Sequence, residues 1–452
     1  MKKTFFAAAA LLAGIVSAAP ITWHPPATFD PKKPGLGLEQ LEGITITDIY
    51  MPKISKADPS DGGNGVYESP VHGTYNHHQQ FVVIDNTIIV YWTNHLRDEN
   101  GPGQRILAKT GRFSADGSTI DWCKDEEIVE LVPPVHPAAK RPAADTCKVI
   151  KGAFVDSRIS LINGRLFLKG RIQLCDGWTD NMRYHHLLNN DPVPDKHYNV
   201  SKTKTHRFDI YWRLAGFVQE WKLENGKLKP ASELYLTTDP IPEKLQVTPT
   251  ILKTMGAYNP LYANAKHLKF APKEFQDALR QKPTDFQRTP KYTRKTFQIA
   301  ADGKNGLSHW TEFVRPDGKW VVVRDNLLNP VTYYAAIKDK KEDFYPPAKR
   351  TNLYGTAMPV SGELPDGTVW FVGSDAKREN AYITWSQDGI NFDKTKLLIH
   401  LRYKAIESSI CKPPYGGAQY FQTISRGNYI WIVFSVAKEK IGVIRIPMNL
   451  LK

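Results

Sequence analysis

The sequence predicts an all-β fold, a seven-bladed β-propeller with loop insertions on one face. Three observations predict it. Five pieces begin with a two-residue turn and run into a β-branched and aromatic strand: DNTIIVYWTN from Asp85, NGRLFLKGRI from Asn163, DGKWVVVRDN from Asp317, DGTVWFVGSD from Asp366 and RGNYIWIVFS from Arg426. Each reads as the second or third strand of a meander. A Ser-x-Asp-Gly turn followed by an aromatic occurs twice, in SADGSTIDW from Ser114 and SQDGINF from Ser386. Helical periodicity is scarce. A repeat of roughly 50–80 residues divides a chain of this length into blades that cannot bury their faces alone, so residues 20–452 read as a single domain.

Taken in order, the chain opens with Lys2 and Lys3, an apolar stretch from Phe5 to Val16 and the small residues Ser17-Ala18-Ala19. That pattern is a secretory signal peptide over residues 1–19. No later stretch is apolar enough to span a bilayer, so the expectation is a secreted protein with no membrane partner, and a monomer. The hairpin Gly73–His95 follows, with His77 and His78 at one end, His95 at the other and Asn76 and Asn94 beside them. Neighbouring residues of a strand face opposite ways, so only one of His77 and His78 is expected to face a cleft, and register decides whether His95 joins it. Val132–Lys148 is a Pro- and Ala-rich surface loop, and Pro242–Lys295 is an insertion with one short helix expected at Pro272–Arg280. The Asp-Gly turns at Ser114 and Ser386 resemble the Asp-box of sialidase-like propellers.

The formal charge is +14, which suits a polyanionic partner. No basic stripe with interleaved aromatics is present, so nucleic acid is not expected. The four cysteines, Cys123, Cys147, Cys175 and Cys411, allow one or two disulfides in an exported protein, with connectivity open.

The run YNHHQ, then strand, then YWTNHLRDENGPGQRI and an Asp-box-like turn, resembles the propeller polysaccharide lyases: the ulvan lyases and the rhamnose–glucuronate lyases, with related rhamnosidase-like propellers. RFDIYWRLAGFVQEW, DGKWVVVRDN, GELPDGTVWFVGSDAKRENAYITWSQDGINF and YGGAQYFQTISRGNYIWIVFSVAKEKIGVIRI agree in order, while the stretch from about Val132 to Lys295 matches poorly. The resemblance implies β-elimination beside a glucuronate in an acidic polysaccharide. That chemistry needs a base for the proton on carbon 5, an acid for the oxygen leaving carbon 4, and a cation for the carboxylate. It implies His77 or His78, His95, Tyr198 and Arg213 as catalytic residues, with Tyr184 and Tyr211 as rivals to Tyr198. Asn199-Val200-Ser201 is a glycosylation sequon beside Tyr198 and counts against it in a glycosylating host.

Asn76, Arg324 and Tyr258 are expected to touch substrate, Arg324 being equally readable as a solvated pair with Asp325. The pair His185-His186 ranks below the first because the resemblance does not extend to it. The chemistry requires no cofactor, and the related propellers leave room for a structural metal ion without assigning its ligands. Two readings compete: a sialidase-like or rhamnosidase-like hydrolase on the same scaffold, and a binding propeller without catalysis. A hydrolase usually needs two carboxylates across a cleft, and Glu220, Asp98 and Glu99 do not form an evident pair.

Overall fold

The computed structural model describes residues 20–53, 64–65, 71–95, 105–132, 138–139, 151–176, 210–237, 269–281, 307, 309–326, 331–342, 345–406 and 415–452, with only the backbone described at parts of the strands Lys151–Ile162, Arg165–Asp176 and Ile210–Glu224. They build five antiparallel blades of four or five strands. Blade I runs Tyr75–Ile84, Thr87–His95, Arg105–Phe113 and Ile120–Trp122; blade II runs Lys151–Ile162, Arg165–Asp176, Ile210–Glu224 and Lys227–Pro230. Blade III runs Trp310–Val314, Trp320–Arg324, Thr332–Lys338 and Lys349–Tyr354; blade IV runs Val360–Glu363, Val369–Ser374, Asn380–Ser386 and Lys394–His400. Blade V runs Ala418–Arg426, Tyr429–Val436 and Lys440–Pro447, and its outer strand, Thr45–Tyr50, comes from the other end of the chain. The five blades fall short of the expected seven, a count that reaches beyond the described residues.

All five turn-led pieces form the second strand of their blade. Their near-continuous apolar runs follow from burial on both faces: blades I, IV and V each pack against a neighbouring blade on either side, while the second faces of blades II and III are covered by the helix and by local residues. Along Thr87–His95, Ile89 and Tyr91 join a core shared with Leu168 and Phe217 of blade II. Ile88, Val90 and Trp92 instead join one shared with Trp431 and Val433 of blade V. Residues of blade V alternate in the same way: Ile430, Ile432 and Phe434 pack against Trp370 and Ile383 of blade IV. A fourth core joins Phe313 and Val323 of blade III to Phe371 and Tyr382 of blade IV, sealed by Trp23 and Leu36 from the N-terminal segment.

Both Asp-Gly turns join a third strand to a fourth. In the first, Asp116 accepts hydrogen bonds from Ser114 Oγ (2.6 Å) and from the Ser118 amide (3.0 Å) and hydroxyl (2.8 Å). The expected helix forms at Lys273–Arg280 and buries Phe275 against Phe167 of blade II. Cys123 is a half-buried free thiol and takes part in no disulfide. Cys147, Cys411 and the side chain of Cys175 lie outside the described residues.

Candidate active site at one rim of the propeller

First strands of adjacent blades touch: Tyr75–Ile84 contacts Lys151–Ile162 and Ala418–Arg426, and Val360–Glu363 contacts Trp310–Val314 and Ala418–Arg426. They are therefore the inner strands. In an antiparallel meander the start of the first strand, the end of the second and the turn that follows all lie at one rim. That rim gathers His77 and Tyr420 from the starts of two inner strands and His309 just before a third. It also gathers Asp325 just after a second strand, and Arg378 and Lys438 from the turns after two more.

Two bulges shape it. Between His77 and Gln80 the register slips by one residue against Thr93 and Tyr91, and His78 adopts φ 54°. Between Gln419 and Gln422 the same slip occurs against Ser435 and Val433, and Tyr420 adopts φ 60°. Non-glycine residues in this left-handed region are strained, and such strain persists where surrounding contacts impose it. The contact here is Gln79, whose Nε2 donates to the carbonyls of Gln419 (3.3 Å) and Tyr420 and so ties one bulge to the other. A third inner strand is bulged between Val155 and Arg158.

The bulge corrects the expectation that His77 and His78 face opposite ways. Their ring centroids are 4.5 Å apart, and both rings meet Tyr420, at 4.1 and 5.5 Å. His309 reaches the same Tyr420 ring at 5.0 Å, and Arg378 lies over it at 5.8 Å while donating to Gln419 Oε1. His309 Nδ1 is 2.8 Å from Asp325 Oδ2.

His77 is fully buried, with Nδ1 2.9 Å from Ser435 Oγ. The Ser435 hydroxyl also lies 3.5 Å from Gln419 O; in the tautomer in which Nδ1–H donates to Ser435, Nε2 carries the lone pair. That Nε2 is buried with no hydrogen-bond partner. Burial, and then the neighbouring charges of His78, Lys438, Arg378 and His309, hold His77 well below the usual histidine range. The result is a neutral imidazole with an available lone pair inside a cationic rim. Four carboxylates near the rim are each engaged: Asp325 by His309, Asp375 by Asn380 (2.8 Å), Glu439 by the Ile406 amide (2.6 Å) and Glu379 by Arg402 (3.5 Å).

His95 pairs with Tyr75, two residues from His77, so the register places both on one face of the blade, and His95 is fully buried. Asn76, expected to touch substrate, is fully buried and ties neighbouring segments together. Its Nδ2 donates to Gly73 O (3.0 Å) and Glu439 O (2.7 Å), and its Oδ1 accepts from Trp92 Nε1 (2.9 Å) and Asn94 Nδ2 (2.8 Å). Arg324 is 2% exposed and Asp325 fully buried, which overturns the reading of a solvated pair. Arg213 lies in the third strand of blade II opposite Gln173, and Tyr211 opposite Cys175, but their side chains lie outside the described residues. Tyr198, Tyr184, Tyr258 and the pair His185-His186 lie outside them entirely. Among the described residues no group of three or more His, Cys, Asp or Glu side chains is placed to hold a metal ion.

Sequence reasoning missed His309, Asp325, Arg378, Lys438 and Tyr420. The available signal was positional: each flanks the start of a first strand or the end of a second, the positions that share a rim once the meander is drawn.

No family model matches the chain, and no curated protein matches it. Among solved structures it is similar to a sialidase, 17% identical with a TM-score of 0.50, covering 95% of this chain and 35% of that one. It is also similar to a protein of unknown function from Dyadobacter fermentans (10% identical, TM-score 0.45, covering 89% and 99% of the two chains). A third is the intramolecular trans-sialidase from Ruminococcus gnavus (10% identical, TM-score 0.40, covering 88% and 99%). The chain spans about a third of the length of the first sialidase. What the likeness to that sialidase shows is the fold, a β-propeller.

Proposed function

We propose that the protein is a secreted polysaccharide lyase that cleaves at carbon 4 of a glucuronate residue by β-elimination, on ulvan or a rhamnosyl-glucuronan. The observation that carries this reading is His77: a buried neutral imidazole whose Nε2 lone pair has no partner, beside His78 and Tyr420 and ringed by cations. In this reading Nε2 takes the proton from carbon 5. Arg378 and Lys438 lower the energy of the enolate-like charge that develops on the uronate carboxylate. Tyr420 lies against the same imidazole, where a phenol can exchange protons with the reacting centre. Tyr198 and Arg213, from the stretch that resembles the lyases, complete the proposed catalytic set, and Tyr258 belongs to its substrate contacts. The substrate, an acidic polysaccharide, suits the +14 charge.

A glycoside hydrolase is the second reading, favoured by the likeness in fold to a sialidase. Elimination leaves an unsaturated uronate with a new ultraviolet absorbance, and hydrolysis does not. The expected outcome is rising absorbance on ulvan or on a rhamnose-capped glucuronan, with His77→Ala slower by about two to four orders of magnitude. Release of reducing sugar without that absorbance would sink the lyase reading in favour of hydrolysis.

A further inference from the structure

The dyad of His309 and Asp325 calls for an explanation that the base His77 does not supply. Asp325 is fully buried, and one of its oxygens, Oδ1, has no hydrogen-bond partner. A buried carboxylate is unfavourable unless something compensates it. Its Oδ2 is spent on a single contact, 2.8 Å to His309 Nδ1. The His309 side chain is 32% exposed, so the dyad links the interior of blade III to the open rim. A carboxylate on one imidazole nitrogen fixes the ring and leaves the other nitrogen to exchange a proton with substrate. The ring is aimed at the site already described: it meets the edge of Tyr420 at 5.0 Å, and Tyr420 meets His77 at 4.1 Å. Imidazoles from two different blades thus reach one phenol: His77, buried behind Ser435, with His78 beside it, and His309, backed by a carboxylate and partly exposed to solvent.

We infer that His309, oriented by Asp325, is a second catalytic residue of this site, the acid that protonates the oxygen leaving carbon 4. The inference rests on the lyase reading. His77 Nε2 takes the proton from carbon 5, and the C–H pair forms the double bond between carbons 4 and 5. The bond from carbon 4 to the bridging oxygen breaks with its electron pair, and the imidazolium of His309 gives its Nε2 proton to that oxygen. The products are one unsaturated uronate end and one hydroxyl end. His77 then releases its proton to water and His309 takes one up, so the cycle balances without a further reactant. Asp325 carries the charge that opposes the imidazolium before the transfer.

Leaving-group chemistry tests the role, because a general acid matters only when the leaving oxygen is basic. Two substrates are compared: a glucuronate with a sugar linked at carbon 4, and a synthetic glucuronate carrying nitrophenoxide there. With the sugar leaving group, His309→Gln and Asp325→Asn should each lose about 10²–10³-fold in kcat. With nitrophenoxide both should stay close to the parent rate, while His77→Ala stays slow on both. Equal loss on the two substrates would mean a structural role, and no loss on either would mean no role; both overturn the inference. Circular dichroism checks folding, and if His309→Gln does not fold, the milder Asp325→Asn carries the comparison. A parent protein that forms no unsaturated product from either substrate removes the lyase reading and this assignment with it, a result reached without any variant.

Discussion

At the scale of the residue, His77 is the base of the proposed mechanism and also carries a pH dependence of stability. Its folded-state affinity for protons is depressed first by burial and then by His78, Lys438, Arg378 and His309, from an ordinary value of 6.5. The unfolded chain therefore binds a proton that the folded chain refuses, and stability rises with pH wherever the unfolded state binds more protons. This contribution is complete above pH 6.5 and is lost as pH falls below it towards the depressed folded value. Urea unfolding across that window should show a slope that is smaller in His77→Gln; an unchanged slope would exclude His77 as its source. Asp388 works the opposite way on a carboxylate. Burial pushes it up, but the amides of Asn391 and Ile390 (both 2.7 Å), the Asn391 side chain and Ser386 Oγ (2.8 Å) hold it well below the usual range. Asp388→Ala frees those donors to water at an exposed turn, and thermal unfolding should report a loss of about 1 kcal/mol.

At the scale of the element, the bulged inner strands decide what the site contains, and they also mark where the sequence stopped being legible. The second strands were readable because burial on two faces leaves a local signature, as in Ile88–Trp92, where every residue is apolar and buried. The Asp-Gly turns were readable because Asp116 and Asp388 bond only to residues within a few positions. The bulges were not. His78 and Tyr420 are neither glycine nor asparagine, and their left-handed backbone is held by a Gln79 contact spanning 341 positions. The alternation rule consequently failed at His77 and His78, the place where one inserted residue matters most.

Two variants test this reading of the strands. Gln79→Leu removes the donor that joins the bulges and should lower kcat with a small change in stability, since Gln79 Oε1 already lacks a partner. Gly417 precedes the blade V bulge, and a Cβ there would lie 1.8 Å from Arg378 O and 2.8 Å from Glu379 Cα. Gly417→Ala should therefore displace the turn carrying Arg378, lowering melting temperature and activity together. A variant with unchanged melting temperature and rate would show that the turn can yield.

At the scale of the whole molecule, ring closure brings distant residues to one rim, and closure depends on Thr45–Tyr50. This strand pairs antiparallel with Lys440–Pro447, placing Ile46 opposite Ile444 and Thr47 opposite Val443. Lys440 Nζ reaches Asp48 (2.6 Å), Arg445 reaches Thr45 Oγ1 (2.9 Å), and Lys109 of blade I reaches Ile49 O (2.8 Å). Tyr50 is buried against Trp92 at 4.8 Å, in the core between blades V and I. The strand therefore completes one blade's sheet and also fills the seam to the next. A chain beginning at residue 51 would leave Lys440–Pro447 as an unpaired edge, a template for association with other chains, and would open the seam beside His77. Such a truncation should elute as aggregates on size-exclusion chromatography and lose activity on every substrate. Supplying the missing strand as a separate peptide should partly restore the elution volume of the parent protein. A truncated protein that elutes with the parent and keeps its melting temperature would show that the inter-blade cores hold the ring closed without this strand.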